Sequence, residues 1–175
     1  MKKELIFKGR KVSFYVADVK TRSGKVAKRE VVDHPGAVVI LPLLDDSSVV
    51  LEEHYRFAID KTLLEAVAGT LDPGEDPGEA AARELLEETG LKAEQWTKLG
   101  EFYSSPGVMT ELMHVYLARH ISRGERHLEE DEELETVEMP LDQALEYAAN
   151  GRIRDAKTIA ALFLAREFIE KKAED

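Results

Sequence analysis

Residues Gly69 to Leu91 read GTLDPGEDPGEAAARELLEETGL. A glycine-rich loop, Gly69 to Gly74, leads into a helix whose two ends are both written in the sequence. Asp76 suits the N-cap, Pro77 the first helical position, and Glu79 is placed to complete a capping box. Gly90 stops the helix as the residue just past its end. At ~100° per residue, Glu84, Glu87 and Glu88 share one ~100° sector of this helix. Ala82, Leu85 and Leu86 are expected to face a core, with Ala80 and Ala81 near the acidic sector and leaving room above it. Carboxylates three and four residues apart repel by about 0.2–0.5 kcal/mol per pair. Arg83, four residues before Glu87, is the only local relief. The crowding therefore implies a positive group, and Mg²⁺ suits it as a hard cation that takes carboxylate oxygens, water and phosphates. The competing reading is a solvated charged face.

Outward from this helix, the chain reads as mixed α/β of the α+β type, with antiparallel or mixed strands rather than alternating βαβ units. Residues 1–35 form an antiparallel strand system in which Val12, Phe14 and Val16 alternate with more polar neighbours, and Arg22-Ser23-Gly24 makes a turn. Pro35-Gly36 separates it from the rest of the chain. Strands are expected over 37–44, 49–57 and 63–68 before the helix, then over 96–103, 111–121 and up to Met139. A helix over 141–150 stops at Gly151, and Asp155 caps a last amphipathic helix with Ile159, Leu162, Phe163 and Ile169 inward.

The chain has 175 residues, enough for one core with a small appendage. It has no cysteine, which removes disulfides, zinc thiolates and thiol nucleophiles. A net charge of −11 argues against a nucleic-acid partner, because phosphate backbones are bound by clustered Lys and Arg. The longest apolar run, Gly36 to Leu44, is too short to span a membrane, and no leader pattern opens the chain. A cytoplasmic location is expected. The five histidines show no paired ligand spacing.

Gly69, Glu75, Arg83-Glu84-Leu85, Glu87-Glu88 and Gly90-Leu91 fill nine fixed positions over 23 residues. Their spacing resembles the Nudix box in every fixed position, and the likeness extends from about Gly36 to the C-terminus. The resemblance implies the Nudix fold, a mixed sheet sandwiched between helices, here behind a small N-terminal antiparallel strand domain. It also implies divalent metal, Mg²⁺ with Mn²⁺ as a substitute, held by Glu84, Glu87, Glu88 and the Ala68 carbonyl. Arg83 and Glu75 are then orienting residues, and the loop glycines, Gly69 first, let backbone approach phosphates. A metal neutralises the diphosphate, lowers the pKa of bound water and aligns attack, so no Ser, Cys or His nucleophile is needed.

Ser105-Pro106-Gly107, with Glu111 shortly after, resembles a segment of the ADP-ribose pyrophosphatase subfamily, although Pro-Gly also marks plain turns. The strands of 1–35 resemble that subfamily's extra domain, exchanged between subunits of a homodimer, ahead of a Nudix hydrolase domain over 36–175. Arg56 matches an arginine on the strand entering the site and is read either as a phosphate ligand or as a surface ion pair. Glu111 is a candidate for a ribose hydroxyl. In the acidic run 129–133, Glu130 and Glu132 are the candidates for general base, with a solvated loop as the alternative. The implied activity is hydrolysis of ADP-ribose, a small-molecule substrate, to AMP and ribose 5-phosphate. The alternatives are a nucleotide sugar or dinucleoside polyphosphate substrate, and a module that senses nucleotides without cleaving them.

Overall fold

Residues 1–35 show the alternation of a strand with one covered face most clearly at Val12, Phe14 and Val16. In the computed structural model, which describes residues 2–45, 47–128 and 134–174, they form β1 (Lys2–Lys8), β2 (Ser13–Lys20) and β3 (Val26–Asp33). These pair antiparallel in the order β1-β2-β3. Gly24 supplies the left-handed residue of the β2–β3 turn, with φ of 83°.

β4 (Ala37–Pro42) is buried along its whole length, as an unbroken apolar strand should be when covered on both faces. It is the centre of a six-stranded sheet completed by β5 (Ser48–Arg56), β6 (Lys61–Thr70), β7 (Leu91–Tyr103), β8 (Leu112–Arg123) and β9 (Leu134–Pro140). Their order is β7-β8-β4-β6-β5-β9, with β4 and β8 parallel and the other neighbours antiparallel. Helix α1 (Pro77–Thr89) packs its Ala80, Ala81 and Leu85 on Val38, Ile40 and Val67. Helices α2 (Leu141–Ala149) and α3 (Ala156–Glu174) cover the other face, over Val39, Leu41, Leu51 and Ala66. This is the mixed sheet between helices that the sequence implied.

Two features of the strands bear on the site. β6 changes partner along its length, pairing with β5 up to Ala66 and with β4 from Val67 to Thr70. The N-terminal sheet is tied to the β7–β8 connection, where Val32 donates its amide to Val108 at 2.8 Å and accepts from the Thr110 amide at 3.0 Å, and the Thr110 hydroxyl donates to Asp33 at 3.2 Å.

The buried face of the helix differs from its sequence reading. Ala82 is exposed, whereas Ala80 and Ala81 are fully buried beside Leu85. The small alanines let α1 approach the sheet closely, so the acidic edge turns inward instead of standing clear of the core. Strand β7 also begins at Leu91, five residues earlier than Trp96, because its ladder with β8 runs on to Leu91↔Arg123.

Candidate active site

Asp76 caps α1, its carboxylate accepting from the amides of Gly78 at 2.8 Å and Glu79 at 3.3 Å. Glu79 makes no return bond among the described residues, so only half of the capping box forms. Gly90 ends the helix in the left-handed region with φ of 71°, as its place in the sequence required.

With α1 fixed at both ends, Glu84 and Glu88 lie against β6, only 9% and 3% exposed. Ala68 donates its amide to Glu88 Oε2 at 3.3 Å. In an extended strand a residue's N–H and C=O point to the same side, which puts the Ala68 carbonyl on the side of Glu88. Gly69 is needed for space. A Cβ there would stand 1.9 Å from the Glu84 carboxyl carbon, so any side chain would displace that carboxylate.

Arg83 organises the rest. Its Nε and Nη2 grip both oxygens of Glu75 at 2.9 and 3.0 Å, while Nη1 donates to Glu84 at 2.8 Å and Glu87 at 3.0 Å. Glu75 also accepts from the Asp72 amide at 2.9 Å, which closes the loop before α1. The hydrogen bonds from Arg83, then the Asp72 amide, overcome a small burial penalty and hold the Glu75 carboxyl below its ordinary range. Arg83 thus supplies the local relief that its place four residues before Glu87 suggested.

Glu84, Glu87, Glu88 and the Ala68 carbonyl are all hard oxygen donors, the set that suits Mg²⁺ or Mn²⁺. Mg²⁺ keeps several waters and takes one or two carboxylates beside substrate phosphates, so these oxygens need not all meet at one point. The donor chemistry and the space left by Gly69 fit a divalent ion.

Pro106 and Gly107 are exposed in the connection between β7 and β8. Sheet register brings that connection near Gly69, because Thr70, Ala37 and Met113 stand in one row and Leu71 donates to the Gly36 carbonyl at 3.1 Å. Glu111 lies at the same edge, its carboxylate 3.4 Å from His34 Nε2 and mostly buried. Nothing in the spacing of His34 signals that contact. Glu130 and Glu132 lie outside the described residues.

Arg56 starts farther away, opposite Lys61 at the other end of β6. Its guanidinium runs along the sheet face to Glu65, donating from Nε at 2.9 Å and Nη2 at 2.7 Å. Neither Glu65 nor its second partner, Lys157 on α3, stands out in the sequence. Burial pushes the Glu65 carboxyl up, but the Arg56 hydrogen bonds and the Lys157 charge outweigh it and hold the group down at about 2. The one signal available is a lone charge inside the apolar strand Leu63–Ala68.

Comparison with known proteins bears on this geometry. The NUDIX domain family model matches residues 33–162. An ADP-ribose pyrophosphatase of Bacillus subtilis is 42% identical over 162 residues, covering 91% of this chain and 88% of the relative. A methanol dehydrogenase activator of Bacillus methanolicus is 43% identical, with 93% and 89% covered. A GDP-mannose pyrophosphatase of Cronobacter sakazakii is 42% identical over 83% of this chain and 82% of its own. A crystal structure described as an ADP compounds hydrolase superposes with a TM-score of 0.86 at 26% identity, covering 98% of this chain and 94% of that one. The matched region takes in the whole six-stranded sheet and the carboxylate helix, and by that match the chain belongs to the Nudix family of hydrolases.

Proposed function

We propose that this chain is a cytoplasmic, Mg²⁺-dependent pyrophosphatase that hydrolyses ADP-ribose to AMP and ribose 5-phosphate, with Mn²⁺ as a substitute ion. The observation that carries it is the burial of Glu84 and Glu88 against a strand that has no side chain at Gly69. A solvated charged face does not bury its carboxylates. Glu84, Glu87, Glu88 and the Ala68 carbonyl would hold the ion, which when bound neutralises the diphosphate and activates water for attack on phosphorus. Arg83 and Glu75 orient those carboxylates. Arg56 binds a phosphate, while Gly107, Pro106 and Glu111 line the sugar end of the site. The ADP-ribose substrate is supported by the Bacillus subtilis relative.

A nucleotide sugar is the second reading, favoured by the GDP-mannose pyrophosphatase at 42% identity. One substrate panel with Mg²⁺ and product analysis separates them. ADP-ribose is expected to exceed GDP-mannose, dinucleoside polyphosphates and nucleoside triphosphates in kcat/KM. Any of these outranking ADP-ribose by about tenfold moves the assignment to that substrate. No turnover of any of them, with tight nucleotide binding retained, would make the chain a sensor.

Residues 1–35 are further inferred to be a separate pairing region exchanged between two subunits, with 36–175 as the hydrolase domain. Leu5, Ile6 and Phe7 are 50%, 51% and 63% exposed on this thin sheet, an apolar stretch that its own chain leaves uncovered. Light scattering at micromolar concentration is expected to give the dimer mass, and a stable monomer refutes the exchange.

A further inference from the structure

Four charges run in a line from the start of α3 to the guanidinium of Arg56. Asp155 caps the helix, accepting from the Thr158 amide at 3.0 Å and its hydroxyl at 2.5 Å. It also pairs with Lys157 Nζ at 3.0 Å. Lys157 donates to Glu65 Oε2, the oxygen that also accepts from Arg56 Nη2. Thr158 Oγ1 accepts the Ala66 amide at 2.7 Å, so the helix start is fixed to β6 where that strand changes partner. Lys157 and Glu65 are 10% and 2% exposed at their side chains, while Arg56 keeps 39%. Among the described residues Arg56 Nη1 has no partner.

We propose that Lys157 is a positioning residue for the diphosphate, acting through Glu65 to hold Arg56 along the sheet. The proposal rests on the reading of Arg56 as a phosphate ligand.

Two physical points support it. First, reach depends on the fork. Arg56 stands opposite Lys61, and Glu65 lies four residues farther along β6, roughly 13 Å toward Ala68 and Gly69. Without a fixed carboxylate the long side chain would be free to extend into solvent at the far end of the sheet, losing the ordering that a two-point fork supplies. Second, the carboxylate itself depends on Lys157. Glu65 is 2% exposed at its side chain, and its Oε2 accepts from both Lys157 and Arg56. Removing Lys157 leaves a buried carboxylate short of one charged partner, which favours its displacement or protonation and so loosens the fork that aims Arg56.

The test is a double-mutant cycle on the purified full chain with the preferred substrate of the panel at saturating Mg²⁺. Lys157→Met is expected to raise KM about tenfold and to lower kcat by less than about threefold. Arg56→Gln should raise KM by at least as much. In the double variant KM should match that of Arg56→Gln alone, because the lysine acts through the arginine. Independent, multiplicative effects overturn the proposal, as does an unchanged KM in Lys157→Met. If Arg56→Gln leaves KM unaltered, the phosphate reading of Arg56 fails and the proposal fails with it, a result distinct from failure at Lys157 alone. Thermal unfolding of each variant shows whether it is folded. Should a methionine variant not fold, Lys157→Gln, whose amide can still donate to Glu65, replaces it in the same cycle and is expected to show a smaller KM rise; no rise with either substitution refutes the role.

Discussion

Glu88→Gln is expected to lower kcat by about a thousandfold or more while the protein stays folded. Removing one electrostatic partner of a developing phosphoryl charge typically costs several kcal/mol of transition-state stabilisation. The effect should be larger here than for Glu87, for a reason visible in the site. The hydrogen bonds of Arg83 go to Glu75, Glu84 and Glu87, so its charge is committed to those three carboxylates. Glu88 is instead set against the Ala68 amide on β6, 3% exposed, on the side where the Ala68 carbonyl lies. Glutamine has the same shape and can keep the strand contact through its carbonyl oxygen, so thermal unfolding should move by only a few degrees. Steady-state turnover at saturating Mg²⁺, with a melting curve beside it, is the measurement. Normal turnover removes Glu88 from the metal set.

The second large effect is expected in the acidic run 129–133. Substituting the responsible glutamate, Glu130 or Glu132, by Gln should lower kcat by about 10²–10⁴-fold with little change in KM or metal affinity. The flanks of the run support this. Before it, Gly124 and His127 donate their amides to the carbonyls of Gly90 and Glu87 at 2.6 and 3.0 Å. Arg126 Nε donates to the carbonyl of Glu88, and its Nη2 to that of Leu134 at 3.0 Å, on the far side of the run. Both ends are therefore tied to the last turn of α1, from which two of the three clustered carboxylates project. The expected role of such a base is to take a proton from the attacking water. Retention of more than about half of wild-type kcat by both variants would make the run a solvated loop, with water activated by metal alone.

Legibility of the sequence tracks the range of the interactions involved. The loop and helix from Gly69 to Gly90 can be read because caps, turn residues and carboxylate spacing are local, and the αL geometry of Gly90 follows from its position. The side of α1 that meets the sheet departs from the sequence reading at Ala82, since a face count cannot tell how closely a helix will approach when its contact residues are as small as Ala80 and Ala81. Strand ends are set by ladders that pair distant segments, as at Leu91↔Arg123. The Lys157–Glu65 contact joins residues 92 positions apart and leaves no spacing to detect. Arg56 does form an ion pair, but with the buried Glu65 rather than with a surface carboxylate, a partner nine positions away that burial rather than spacing selects.

Arg83 makes three carboxylates depend on one guanidinium. Its Nε and Nη2 hold Glu75 while Nη1 bridges Glu84 and Glu87, so the loop before α1 and the middle of the helix share a single anchor. A neutral residue at position 83 would release all three together and leave the repulsion between Glu84 and Glu87 unrelieved. Damage at the anchor is collective, whereas a change at one carboxylate leaves the contacts of the other two in place.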